Sequence, residues 1–196
     1  YVSLAGMAKA LDDTAQVQWD SGTGVATVTT ANLNVTAKVG QLYMVANGRY
    51  LYLPESAQVV EGRLTVPLWA VAEAFDAKVG WDSATGTVTV TRGSGAIQSG
   101  ESYYDQNDLF WLSRLIYAES GNQPLEGQMA VGNVVLNRVA SPIYPNTIEG
   151  VLAQKNQFST YQSGSLAKRT PNESSVIAAK LVLDGGVVEE TRGALY

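Results

Sequence analysis

The sequence predicts an α+β protein of two domains, a small mixed β/α unit with an internal repeat followed by a mainly α-helical one. Three observations predict it. Apolar and polar residues alternate with period two in Val25-Ala26-Thr27-Val28-Thr29 and again in Thr87-Val88-Thr89-Val90-Thr91, the mark of half-buried strands. From Asp108 onward, apolar residues recur at three- and four-residue spacing, the mark of helices. Between the two regimes, RGSGAIQSGESYYDQ (Arg92 to Gln106) is rich in Gly, Ser and Gln and keeps neither period, so it reads as a linker. The expected boundaries are 1–92, a linker over 93–106, and 107–196.

The first half repeats itself. VSLAGMAKALDDTAQVQWDSGTGVATVT returns from Val66 as VPLWAVAEAFDAKVGWDSATGTVTVT. In each copy a strand end (Val2, Val66) leads into an apolar helix, Leu4 to Leu11 or Leu68 to Phe75. A strand then ends on Trp19 or Trp81, and an Asp-Ser-x-Thr-Gly turn leads to the Val/Thr strand. Short strands are expected between the copies at Leu33 to Lys38, Gln41 to Ala46, Tyr50 to Leu53 and Arg63 to Val66, with Asn47-Gly48 as a hairpin turn. Trp19 and Trp81 are expected to pack in the core rather than to stack on sugars. The run VPLxxxAExF…VxWDxxTGTVTV resembles the stalk-like N-terminal domain of copper amine oxidases, a module found far more often on bacterial cell-surface enzymes. The resemblance covers about residues 1 to 92 and implies wall anchoring or spacing.

Composition narrows the chemistry. The chain has 196 residues, 45% of them hydrophobic, enough for one or two domains with real cores. A formal charge of −5 argues against nucleic acid and against a polybasic membrane contact. No apolar run reaches the roughly 18 residues of a membrane span, so no transmembrane segment is expected. No leader is visible, since Tyr1 already opens a strand-like stretch; an exported chain with its leader removed reads the same way. With no Cys and no His there is no thiol nucleophile, no imidazole base and no ordinary zinc site. No cofactor and no metal are expected, copper included, and any catalysis falls to carboxylates, Lys, Tyr, Ser, Thr or backbone groups.

In the second half, Leu109, Leu112, Leu115 and Ile116 mark one face of a helix that ends near Gly121. Continuing that phase puts Glu119 on the inward stripe near the helix C-terminus, where apolar surroundings and the negative end of the helix dipole disfavour its ionised form. That suits a general acid, and equally a carboxylate satisfied by a partner. Pro124 opens a helix from Leu125 to Val139, apolar on nearly all sides and therefore central; Gly127 and Gly132 would admit a close neighbour. Asn133 and Asn137 lie four apart on one face, where they hold the cleft geometry or tie down a loop. Pro142 and Pro145 stiffen a connection, and Asn146 or Thr147 caps a short helix through Leu152. KNQFSTY (Lys155 to Tyr161) reads as a loop whose amides, hydroxyls and aromatics suit sugar. TPNE (Thr170 to Glu173) reads as a capping box for the last helix, which Asp184-Gly185-Gly186 stops.

The motifs IYAESGNQPLEGQMAVGNVVLNRV, YPNTIEGV, QFS and ALY, in that order, resemble the spore cortex-lytic enzyme family of cell wall hydrolases from about Leu109 to the C-terminus. The resemblance implies cleavage of peptidoglycan glycan strands between N-acetylmuramic acid and N-acetylglucosamine, in the wall or spore cortex of a Gram-positive bacterium, by a secreted enzyme with a small α-helical, lysozyme-like catalytic domain and a single catalytic Glu. That Glu falls on Glu119. The Glu119-Ser120 pair is similar to that of soluble lytic transglycosylases, and the family places Gln157, Phe158 and Ser159 by the cleft. With them, Ser120, Gln123, Asn137 and Tyr161 are the residues expected to meet substrate. Many family members carry a second Glu where this chain has Gln123, and the family continues into further aromatic residues where this sequence stops at Tyr196. These departures favour, as alternatives, weak activity or a wall-binding module.

A single carboxylate suffices for a lytic transglycosylase, because the C6 hydroxyl of the muramic residue is the nucleophile and a 1,6-anhydro end results. Hydrolysis by the same Glu with water is the alternative. Ordinary glycosidases use two carboxylates about 5 to 10 Å apart, and no obvious second one is visible. Glu126 lies beyond a Gly turn and Pro124, Asp108 about 16 Å back along the helix at 1.5 Å per residue, and Glu149 on a different short helix.

Overall fold

A computed structural model describes residues 1–196, which form two compact units, Tyr1–Tyr103 and Tyr104–Tyr196. The first unit begins with β1 (Val2–Ser3) and α1 (Leu4–Leu11), whose N-terminus is capped by the Ser3 hydroxyl accepting from the Gly6 N–H. Five strands come next as an antiparallel meander: β2 (Gln16–Asp20), β3 (Val25–Thr29), β4 (Asn34–Lys38), β5 (Tyr43–Ala46) and β6 (Arg49–Tyr52). Asn47 and Gly48, both at positive φ, make the tight β5–β6 turn the sequence expects. β7 (Gln58–Val60), which is not among the expected strands, pairs with β8 (Arg63–Val66), and β8 with β1. Then come α2 (Leu68–Ala74) and the hairpin of β9 (Lys78–Asp82) and β10 (Thr87–Thr91).

The two copies of the repeat meet where each begins. Val2 and Val66, equivalent in the two copies, pair with each other across β1 and β8, and α1 and α2 pack side by side. Leu4, Ala8, Val28, Val35, Met44, Leu51, Val71 and Phe75 build the common core. One expectation fails here. Trp19 is 49% and Trp81 65% exposed, so neither ring is a core residue. Each sits at the end of its strand beside the turn, and Trp19 borders a groove with Ser3, Leu4 and Leu64 without being covered by them.

The stretch expected as a linker is folded over its first part. Gly93 passes so close to the Asp76 carbonyl that a Cβ there would overlap it, Ile97 enters the core, and its N–H donates to Ala74 O at 2.9 Å. The turn α3 (Gly100–Tyr103) completes the unit. Composition missed this because the packing uses small residues, which leave no apolar period.

The second unit is helical: α4 (Gln106–Ser120), α5 (Leu125–Ala140), α6 (Ile148–Leu152), α7 (Ser159–Gln162) and α8 (Glu173–Leu183), with 3-10 turns at Leu166–Lys168 and Glu189–Thr191. Asp105 caps α4 by accepting from the N–H groups of Asn107 and Asp108, and Thr147 caps α6. For α8 the cap is Asn172 rather than Thr170, because the Asn172 carboxamide reaches the Ser175 N–H at 2.8 Å. Pro171 therefore lies outside the helix. α5 packs against α4, α6 and α8, and Gly132 provides the close approach: a Cβ there would meet Val182 of α8 at 2.8 Å and Ile116 of α4 at 3.2 Å.

Candidate active site

The wall of the cleft is legible in α5. One stripe, Gln128, Met129, Gly132, Asn133, Val135 and Arg138, is buried against the other helices. A second stripe, Ala130, Val131 and Val134, is only half-buried. It forms the floor of an open pocket of about 390 Å³, whose remaining lining includes Glu119, Arg138, Phe158, Glu190, Thr191, Ala194 and Tyr196. A helix apolar on nearly all sides is thus explained by two apolar jobs, a core and a cleft floor.

Glu119 reaches this pocket from the last turn of α4, but not as the periodicity predicts. It is exposed, while Ser120 is buried and continues the stripe of Leu112, Leu115 and Ile116. At 100° per residue, Ser120 lies 40° from the direction of Ile116 and Glu119 60° on its other side, where the pocket opens. The Glu119 carboxylate has no hydrogen-bond or ion-pair partner in the protein, so it is not a structural, satisfied acid.

The other residues expected at the substrate separate into three groups. Phe158 lines the pocket with Glu119. Asn137 and Gln157 stand one step behind it: Asn137 Nδ2 donates to the carbonyls of Thr191 (2.8 Å) and Ala194 (2.9 Å), and Gln157 Oε1 accepts from Arg138 Nη1 at 3.3 Å. Ser120, Gln123, Ser159 and Tyr161 are outside the lining. The Ser120 hydroxyl donates back to Ile116 O, and the Gln123 carbonyl accepts from Gln128 Nε2 at the α4–α5 turn. Ser159 begins α7 rather than continuing a loop. The Tyr161 hydroxyl donates to Glu149 at 3.0 Å, and burial together with that carboxylate holds its phenol above the ordinary value.

Two residues of the site were not foreseen. Arg138 is buried on α5, its Nε donating to Leu195 O at 2.8 Å and its guanidinium 5.4 to 5.8 Å from the rings of Tyr144, Phe158 and Tyr196. The sequence signal was its place one residue after Asn137. Glu190 is the second. The acids weighed from the sequence, Asp108, Glu126 and Glu149, lie outside the pocket, whereas Glu190 lines it with Glu119. No periodicity points to Glu190. Its place comes from Asn133, whose Oδ1 accepts from Val188 N–H (3.0 Å) and Thr191 Oγ1 (3.1 Å), while its Nδ2 donates to Gly186 O at 2.8 Å. The two asparagines of α5 therefore hold the segment that carries one side of the cleft. No group of three or more carboxylates is placed to hold a metal.

Comparison with known proteins agrees with both halves of the resemblance. Residues 1–90 match the family model of the copper amine oxidase N-terminal domain, and residues 122–196 that of the cell wall hydrolases. The second match begins three residues beyond Glu119. The spore cortex-lytic enzyme of Bacillus cereus is 40% identical over 94 residues, which cover 47% of this chain and 35% of that protein. The spore cortex-lytic enzyme of Bacillus subtilis (strain 168) is 36% identical over 81 residues, 41% of this chain and 25% of that protein. The crystal structure of the catalytic domain of the Bacillus cereus SleB protein matches at 38% identity with a TM-score of 0.42, covering 47% of this chain and 70% of that one. The chain thus spans about a third of the curated Bacillus cereus relative and a quarter of the Bacillus subtilis one.

Proposed function

We propose that this chain, a copper amine oxidase N-terminal-type domain joined to a cell wall hydrolase domain, cleaves peptidoglycan between N-acetylmuramic acid and N-acetylglucosamine with Glu119 as the catalytic acid. The observation that carries the reading is an unpartnered carboxylate at a helix end, opening onto a pocket with an apolar floor and aromatic rings. Apolar floor and rings suit the faces of sugar residues, and the free carboxyl suits the bridging oxygen. Protonated Glu119 donates to the glycosidic oxygen as the bond to C1 breaks. The carboxylate left behind then takes the proton of the C6 hydroxyl, which closes on C1 to give a 1,6-anhydro-muramic end. Glu119→Gln is expected to lower the rate of strand cleavage on purified peptidoglycan by at least about 100-fold. Equal rates for the two proteins would remove Glu119 from the mechanism, and binding without cleavage by both would make the chain a wall-binding module.

Hydrolysis with water is the second reading, and Glu190 in the same pocket is what favours it. We further propose that the chain works outside the cell, at the wall or spore cortex, and that the first unit holds it there. No helix is long and apolar enough to cross a membrane. Val79 and Val88 line a shallow pocket of about 430 Å³ with Trp69 and Tyr1, and strand alternation puts Trp81 on the same face of the hairpin. Retention of the Glu119→Gln protein on insoluble peptidoglycan is expected to fall about fivefold to tenfold with Trp81→Ala, the loss of one stacking contact. Unchanged retention would leave the first unit as a spacer.

A further inference from the structure

We propose that Glu190 is a second catalytic carboxylate of this cleft, the base that takes a proton from water and so diverts a share of cleavages from the anhydro product to hydrolysis. The inference rests on the reading of Glu119 as the acid, and its own grounds are geometric.

Glu189 and Glu190 are neighbours on one 3-10 turn, yet they do different things. Glu189 closes a bidentate ion pair on Arg192, with contacts of 2.7 to 3.2 Å, and so serves the turn itself. Glu190 has no hydrogen-bond or ion-pair partner in the protein and lines the Glu119 pocket. The charged and titratable side chains facing that pocket are Glu119 from α4, Arg138 from α5, Glu190 from the turn, and Tyr196. Arg138 gives its guanidinium to Leu195 O and Gln157 and lies against three rings, so it is committed to the wall. Glu190 is left free to act on whatever enters.

Its backbone is also held. The residue two before it donates to Asn133 through its N–H, and the residue after it is tied to Asn133 by its hydroxyl and to Asn137 by its carbonyl. Both tethers come from buried or half-buried amides of α5, and they fix the backbone from which the Glu190 side chain projects. A pair that works this way needs its carboxylates about 6.5 to 9.5 Å apart, which leaves room for a water between them and the sugar.

The step balances without a further reactant. The bond from C1 to the bridging oxygen breaks, and that oxygen takes the proton of Glu119. Water forms the new bond to C1 and gives its proton to Glu190, so a reducing muramic end results. Solvent returns a proton to Glu119 and removes one from Glu190. In the competing branch the C6 hydroxyl is the nucleophile and its proton goes to Glu119, so Glu190 takes no part.

The test is product analysis by mass spectrometry of peptidoglycan digested by the full chain, since reducing and 1,6-anhydro ends differ by one water. Wild type is expected to release both. Glu190→Gln is expected to lower the ratio of reducing to anhydro ends at least tenfold. Glu190→Asp should restore part of the reducing ends, which a merely structural role would not predict. Glu190 is exposed, so the variants should keep the wild-type melting temperature. An unchanged product ratio in Glu190→Gln, or a wild type that releases no reducing ends, overturns the proposal and leaves Glu119 as sole carboxylate. Should wild type release reducing ends alone, the anhydro mechanism fails, and Glu190 stands only if Glu190→Gln collapses total turnover. Loss of both products in Glu119→Gln tests the acid separately.

Discussion

The two copies of the repeat share a turn and differ in almost everything around it. In the first, Asp20 accepts from the Gly22 N–H at 2.8 Å and from the Thr23 hydroxyl at 2.7 Å; in the second, Asp82 accepts from the Ala84 N–H at 2.9 Å and the Thr85 hydroxyl at 2.8 Å. Gly24 and Gly86 take nearly the same positive φ, 68° and 66°. Yet Ala26 is buried, and its equivalent Val88 is 47% exposed. The difference lies in where the chain goes after each hairpin. β3 runs into β4 and a five-stranded sheet, whereas the chain leaves β10 for the close passage at Gly93, and β10 keeps one unpaired edge. Turn chemistry builds a hairpin; the next strand decides whether the hairpin becomes core.

The largest effect expected from this contrast is on stability. Ala26→Asp puts an unpaired carboxylate between packed strands and should unfold the first unit or cost it at least about 4 kcal/mol, whereas Val88→Asp at the equivalent place should stay within about 0.5 kcal/mol. Chemical denaturation followed by circular dichroism measures both. Comparable losses would mean that the second hairpin is as much a part of the core as the first.

The same contrast explains what the sequence could disclose. Helix α1, β8 and the β5–β6 turn fall where residue pattern puts them, because caps, alternation and Asn-Gly act within a few residues. The exposure of Trp19 and Trp81 was not legible, since it depends on tertiary packing around each hairpin rather than on the residues beside each tryptophan. At the candidate site, motif order led to Glu119 and to Phe158. The side of α4 from which Glu119 projects was misread, because a stripe of residues three and four apart has two continuations and Ser120 took the buried one. Glu190 was invisible for a third reason. Its place depends on hydrogen bonds from Asn133 and Asn137 to a segment more than fifty residues away, which no local period records.

A smaller effect tests the turns themselves. The Thr23 hydroxyl, helped by the backbone N–H groups of Gly22 and Thr23, holds the Asp20 carboxyl below its ordinary value, and the Thr85 hydroxyl with the Ala84 N–H does the same for Asp82. A carboxyl whose folded value is lowered adds stability above its unfolded value, near 3.9, and that stability is lost as pH falls through the folded value. At pH 7 Asp20→Ala should therefore lower the melting temperature of the first unit by a few degrees, and the gap from wild type should narrow as the pH is taken below about 4. Asp82→Ala loses the same bonds in a hairpin that carries little of the core. Its expected signature is faster hydrogen exchange confined to the amides of β9 and β10, with melting unchanged, because opening a peripheral ribbon does not require the sheet to open. Equal melting losses from the two variants would show that the second hairpin is coupled to the core as tightly as the first, and the contrast in burial would then carry no difference in stability.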